Sequence, residues 1–219
     1  MKNIKYAVFV ISLIVAISYS TEEKTCYTYD RGYINLETNV EQVVENTTEP
    51  QEKVTGYIFI GDSRFVAMNN VCDICEKENM FLVAKESEGY DYLVNTAIHE
   101  SKKIIQSNND ITDWKYIICL GVNDLYNIDK YIETYNKLKE EYDLVLVSVN
   151  PIEYHSTITN KKIEEFNNSI KNIENIQYID SYKYLTNKGF KTTDGLHYTN
   201  NTYKDIYKAI EDSLNESLV

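Results

Sequence analysis

At 219 residues, with 43% hydrophobic and 26% charged side chains, the chain has the balance of one medium globular domain with extensions, not that of a disordered or fibrous protein. Its formal net charge of −12 repels phosphate backbones and anionic headgroups, which argues against nucleic acid and bilayer surfaces as partners. Neutral or cationic substrates fit better, although acidity also keeps an exported protein soluble.

Residues 1–20 read as an export signal. Lys2 and Lys5 form a positive start, Tyr6 to Ile17 is an apolar run broken only by Ser12, and the small residues Ser18 and Ser20 follow at signal-peptidase spacing. The run is shorter than the roughly 17–25 residues of a comfortable membrane span. A cleaved signal peptide is therefore expected, with an uncleaved N-terminal anchor as the alternative, and either makes the protein secreted or cell-surface. Losing the two lysines takes the net charge from −12 to −14. Residues 21–53 are acidic, poor in large aliphatic side chains and interrupted by Pro50, the composition of a stalk or N-terminal arm.

From residue 54 to 219 the pattern becomes regular, and this stretch is expected to be the folded domain. Residues 56–60, 80–84, 115–120, 144–149 and 177–180 are short, nearly continuous apolar runs, as in strands buried on both faces of a parallel sheet. Helical stripes lie between and after them: Val94, Ala97, Ile98 and Ile105; Tyr131, Tyr135, Leu138 and Tyr142; Ile163, Phe166, Ile170 and Ile173; and Tyr203, Ile206, Tyr207, Ile210 and Leu214. The alternation predicts an α/β three-layer sandwich with a five-stranded parallel sheet. Ligands in such folds bind outside the carboxyl ends of the strands.

Four cysteines, Cys26, Cys72, Cys75 and Cys119, are too few for a disulfide framework in a chain this long. Cys72 and Cys75 have redox or zinc spacing, but no second pair or histidine cluster completes a zinc site. Phe65, Met68, Cys72 and Cys75 also fall on one helical face, so both thiols are expected to be buried and free. Cys119 lies inside an apolar run and reads as core.

Three segments at strand ends carry the chemistry. Gly61-Asp62-Ser63-Arg64 follows the first run and precedes a helical pattern. It offers a hydroxyl nucleophile whose own N–H sits at a helix start, although a serine N-cap would look the same. Gly121-Val122-Asn123-Asp124 follows the third run, where the Asn123 amide could donate toward the same point in space; the alternative is a helix cap. Asp194-Gly195-Leu196-His197 follows the fifth run and places a base and a carboxylate three residues apart. His99 and His155 have no comparable acidic neighbour and read as surface or loop residues.

Together these segments resemble the blocks of the SGNH hydrolases, also called the GDSL family: Gly-Asp-Ser, Gly-x-Asn-Asp and Asp-x-x-His, in that order. The resemblance spans residues 56 to about 210. It implies a flavodoxin-like strand order, Ser63 as nucleophile, His197 as base and Asp194 as the partner that orients it. It further implies an oxyanion hole made by the Ser63 N–H, a glycine N–H from the family's second block and the Asn123 side chain. Gly89, the only glycine between Gly61 and Gly121, stands where that second block falls. Arg64 departs from the leucine of the family's four-letter name and is expected to alter the charge of the pocket.

The implied activity is that of an exported serine esterase without cofactor or metal, acting as a monomer on a small-molecule or polysaccharide ester. With no long apolar insertion to form a lid, short acyl groups such as acetyl on a carbohydrate or cell-wall polymer are favoured. The alternatives are a lipid esterase or thioesterase, a catalytically inactive carbohydrate-binding domain on the same fold, and a redox protein using Cys72 and Cys75. The second glycine of Gly-x-Ser-x-Gly is missing, and no phosphate loop, dinucleotide fingerprint or His-Glu-x-x-His motif is present.

Overall fold

The computed structural model describes residues 53–216, together with the backbone of a two-residue strand at Tyr27–Thr28. The export signal and nearly all of the 21–53 arm lie outside the described residues. Five parallel strands make the sheet: β1 (Thr55–Gly61), β2 (Met80–Ala84), β3 (Asp113–Cys119), β4 (Asp143–Val147) and β5 (Gln177–Ile179). Their spatial order is 2-1-3-4-5, the flavodoxin-like order expected, and every pairing is parallel. Tyr27–Thr28 adds a short sixth strand outside β2, opposite Val83 and Ala84.

The apolar runs become strands because each strand is covered on both faces and its alternate residues enter different cores. Ile58, Ile60, Tyr116, Ile118, Leu144 and Leu146 point to one side. Phe59, Leu82, Ile117, Cys119, Val145 and Val147 point to the other. The first face is covered by α2 (Ile98–Ser107), α3 (Ile128–Leu138) and α4 (Asn160–Lys171). The second is covered by α1 (Ser63–Cys72), α5 (Ser181–Lys188) and α6 (Asn200–Glu216).

The stripes on α4 and α6 are buried as their spacing predicts, with Ile163, Phe166, Ile170, Tyr203, Ile206 and Ile210 at or near full burial. The stripe before α2 is displaced. Tyr90–Tyr92 forms a single turn and Leu93–Ala97 a π-helical turn, and the wider winding moves the buried seam to Leu93, Ala97, Ser101 and Ile104. Val94, Ile98 and Ile105 lie at the edge of that seam. Tyr142 falls beyond α3 and stacks on Tyr116 from the following turn.

The cysteines correct the expectation of two buried free thiols. The helix ends at Cys72, where Asp73 adopts a left-handed conformation at φ 50°, so Cys75 falls on the next short turn and not on the same helical face. Cys75 is buried and disulfide-bonded, whereas Cys72 is free and partly exposed. The two do not form a redox pair. Cys119 is a free, buried thiol whose pKa burial pushes up to about 12. Cys26, the remaining cysteine of the chain, lies outside the described residues. Among the described residues no helix is long and apolar enough to cross a membrane.

Titration with a thiol reagent checks this arrangement. In the unreduced, denatured chain Cys72 and Cys119 should titrate and Cys75 should not, whereas the reduced chain should show all four cysteines. Under native conditions Cys72 should react first and Cys119 only on unfolding, because a buried thiol with a raised pKa carries almost no thiolate.

Candidate active site

The reversal of strand order beside β1 leaves a crevice at the carboxyl ends of β1 and β3, where an open-sheet fold places its ligand. The three sequence segments converge there. β1 passes into α1 through Asp62, which is 3% exposed and acts as the N-cap. Its Oδ1 accepts from Arg64 N–H at 2.9 Å, and its carbonyl accepts from Phe65 and Val66 at 3.0 and 3.1 Å. Asp62 therefore caps the helix, not Ser63. The Ser63 hydroxyl is left for another partner, and its N–H is the first-turn donor that Asp62 does not take.

That partner is His197. Ser63 Oγ lies 3.0 Å from His197 Nε2, across 134 residues of chain. On the far side of the ring, His197 Nδ1 is 2.7 Å from Asp194 Oδ2. Because a carboxylate only accepts, Nδ1 carries the proton and Nε2 is left bare to accept from the serine hydroxyl. Asp194 Oδ1 also receives the backbone N–H groups of His197 and Leu196, at 2.7 and 2.9 Å. The side-chain hydrogen bond from His197, followed by the one from its backbone, holds the Asp194 carboxyl down at about 2. The carboxylate therefore stays ionised at any ordinary pH and keeps the imidazole in this tautomer. The relay is open to solvent at its outer end, where the Asp194 side chain is 54% exposed.

Gly89 and Asn123 are joined by a second set of contacts that the sequence reading did not foresee. Asn123 Nδ2 donates to the Glu88 carbonyl at 2.8 Å, which uses one of its two hydrogens. Asp124 turns inward and is nearly buried. It accepts from Tyr90 N–H at 2.8 Å, Asn127 Nδ2 at 3.0 Å and the Tyr131 hydroxyl at 2.8 Å. Its carboxylate passes so close to Gly89 that a Cβ there would come within 2.5 Å, which is why glycine stands at this position. Neither Asn123 nor Asp124 provides a side-chain cap to the following helical turns. A buried acid in a glycine-asparagine turn, with a tyrosine seven residues on, was the available signal; an unaligned sequence does not say that the two meet.

An open groove of about 550 Å³ runs past Ser63, His197 and Asn123, and is otherwise lined largely by short polar side chains such as Asn70, Ser87 and Asn200. Arg64 does not line it. Its side chain turns into the protein and is 4% exposed, so it places no charge in the pocket, contrary to the sequence expectation. His155 caps its own loop by accepting from Thr157 and Ile158 N–H, and His99 is an exposed residue of α2. Neither approaches the relay. No group of side chains able to hold a metal is found among the described residues.

No family model and no curated protein matches the chain. Solved structures do. A G-D-S-L family lipolytic protein from Veillonella parvula superposes with a TM-score of 0.55 at 16% identity, covering 72% of this chain and 97% of that one. This is the SGNH hydrolase fold. The catalytic domain of Streptococcus pneumoniae peptidoglycan O-acetyltransferase A, solved with a methylsulfonyl adduct, matches at 0.51 and 18%, covering 76% and 96%. A lipase from a goat rumen metagenome matches at 0.51 and 17%, covering 74% and 97%. In this chain the fold brings Ser63 and Asn123, on the loops after β1 and β3, together with His197, which stands not at a strand end but on the loop between α5 and α6.

Asp124→Ala would leave three donors around a buried void without an acceptor. A stability loss on the order of 1–3 kcal/mol is expected in chemical denaturation, with faster amide exchange at Tyr90.

Proposed function

We propose that this protein is an exported serine esterase that removes short acyl groups, acetyl above all, from a carbohydrate or cell-wall polymer. The observation that carries the reading is the continuous relay Ser63 Oγ–His197 Nε2, His197 Nδ1–Asp194 Oδ2, opening on a groove at the switch point of the sheet. A serine needing only to cap its helix has no use for a correctly tautomerised imidazole, and here Asp62 already does the capping.

In this mechanism Ser63 Oγ attacks the ester carbonyl as its proton passes to His197 Nε2. Asp194 stabilises the imidazolium without taking the proton. The carbonyl oxygen becomes an oxyanion, held by the Ser63 N–H, the Gly89 N–H and the hydrogen of Asn123 Nδ2 that Glu88 does not use. Collapse of the tetrahedral species expels the alcohol, which leaves with the proton from His197. Water, deprotonated by the same Nε2, then attacks the acyl-enzyme and releases the acid and free Ser63.

The acyl preference rests on the groove. Among the described residues Ala67, Val71 and Leu196 are its aliphatic side chains, with Tyr198 and Tyr203 beside them, a small apolar surface for binding a long chain at roughly 25 cal/mol per Å² buried. Tyr126 and Tyr154, 82% and 72% exposed, stand on the loops after β3 and β4 at the same end of the sheet, and offer flat surfaces to sugar rings. The peptidoglycan O-acetyltransferase domain of the same fold supports a cell-wall substrate. Export is supported by the residue 1–20 signal and by the disulfide at Cys75, a bond of oxidising compartments.

The test is a panel of p-nitrophenyl esters of rising chain length, run beside acetylated xylan and acetylated peptidoglycan. Activity should be highest on acetyl and fall as the chain lengthens; a preference for long chains would turn the reading to a lipid esterase. Ser63→Ala should abolish turnover and labelling by an organophosphorus reagent. Asn123→Ala should lower kcat by roughly 10²–10³ with KM moved less than about tenfold, because its bond forms fully only in the tetrahedral state. A lowered melting point with unchanged kcat would remove Asn123 from the mechanism.

A further inference from the structure

Arg64 is an expensive residue in its place. A guanidinium taken out of water carries a large desolvation cost unless a carboxylate pairs with it, and no ion pair to Arg64 forms among the described residues. Asp62, the neighbouring buried acid, spends Oδ1 on the Arg64 backbone N–H, and burial raises its pKa even against the Arg64 charge. Nε and Nη2 of Arg64 are buried with no partner. A leucine would fill the space without this cost, so the contacts that the guanidinium does make call for an explanation.

Its hydrogen bond and its ring contact go, among the described residues, to two segments. Nη1 donates to the Asn150 carbonyl at 3.0 Å, and the guanidinium carbon lies 5.2 Å from the centre of the Tyr198 ring. Asn150 lies in the loop after β4, and Tyr198 directly follows His197. The two segments are tied to each other as well. The Tyr198 hydroxyl donates to the Pro151 carbonyl at 2.5 Å, and Glu153 and Tyr154 N–H donate to the Gly195 carbonyl at 3.0 and 3.2 Å. The loop is in turn anchored on α4: Asn167 clasps both backbone groups of Val149, and Asn160 both of Ile152. Gly195, at φ 93°, packs against the Tyr154 carbonyl, so the base segment lies flat on this platform.

We propose that Arg64 is a positioning residue that fixes the distance between nucleophile and base. It is bonded through one peptide to Ser63, and its side chain holds the platform and the residue next to His197. Its pull keeps Ser63 Oγ within 3.0 Å of Nε2 although the two belong to loops 134 residues apart. The proposal rests on the serine-esterase reading above, since it concerns how that pair is aligned.

The experiment compares Arg64→Met, Arg64→Lys and Tyr198→Phe with the wild type, well below each variant's melting temperature. Two quantities are measured: the rate of phosphonylation by a small organophosphorus reagent, which reads the Ser63–His197 pair without substrate binding, and kcat and KM on p-nitrophenyl acetate. Arg64→Met should slow labelling and kcat together by roughly 10–100-fold with KM nearly constant, the effect of a misplacement of about 1 Å. Arg64→Lys, which keeps a donor and a cation over the ring, should recover much of the loss. If Arg64→Met does not fold, Tyr198→Phe decides, with labelling expected to slow about threefold or more once the bond to Pro151 is gone. Wild-type labelling in a folded Arg64→Met, or in Tyr198→Phe when the first variant is lost, overturns the positioning role even if melting falls. Labelling that survives Ser63→Ala, or a wild type that is never labelled, instead overturns the esterase reading and this proposal with it.

Discussion

The site depends on how β1 is converted into α1 without using the serine. A helix start leaves backbone N–H groups that must be satisfied, and serine and aspartate compete to satisfy them. Asp62 wins because it is the residue at the strand end with extended backbone, φ −102° and ψ −159°, and its carboxylate folds back over Arg64 N–H. The cap is buried and so raises its own pKa. Its consequence is that Ser63 enters the helix at the first position with its hydroxyl free to meet His197 beside the groove and its N–H not taken by the cap. Every other feature of the site is arranged around that freed pair.

Two rigid supports flank it. On one side Asp124 gathers the Tyr90 amide, the Asn127 amide and the Tyr131 hydroxyl, so the loop bearing Gly89 and the loop bearing Asn123 behave as one body. On the other side the base loop is stacked on the Asn150–Tyr154 platform, with two side-chain amides of α4 holding the platform's backbone. Both supports are built largely from buried, hydrogen-bonded polar groups, and such networks add rigidity to the extent that their members are satisfied. Arg64 leaves two nitrogens unsatisfied and Asn150 of the platform one oxygen, so the unpaired atoms gather where the guanidinium meets the loop after β4.

The outer end of the relay contrasts with its part-buried inner end at Ser63. Asp194 and His197 are substantially exposed, so the strength of their interaction comes from geometry and not from desolvation. Three hydrogen bonds converge on the Asp194 carboxylate from one tight turn, and that local arrangement suffices to lower its pKa without support from a remote cation.

The strands, their parallel arrangement and the loops bearing Ser63 and Asn123 were readable from the chain because each depends on local pattern: apolar runs of strand length, and chemically distinctive residues soon after them. The Asp194–His197 segment was readable from its own residues but does not stand at a strand end as expected, because α5 intervenes between it and β5. The stripes on α4 and α6 were likewise readable from local pattern. The displaced seam before α2 was not, because a π turn changes the winding in response to packing. The Tyr27–Thr28 strand depends on which distant sheet edge the segment meets, and the separation of Cys75 from Cys72 on the stop of the helix at left-handed Asp73. The roles of Asp62, Asp124 and Arg64 were equally hidden, since a charged residue beside a catalytic-looking serine or asparagine reads alike whether it faces a groove or a core. Only the tertiary structure decides that, by bringing Asn150, Tyr198 and Tyr131 to those side chains across long stretches of chain.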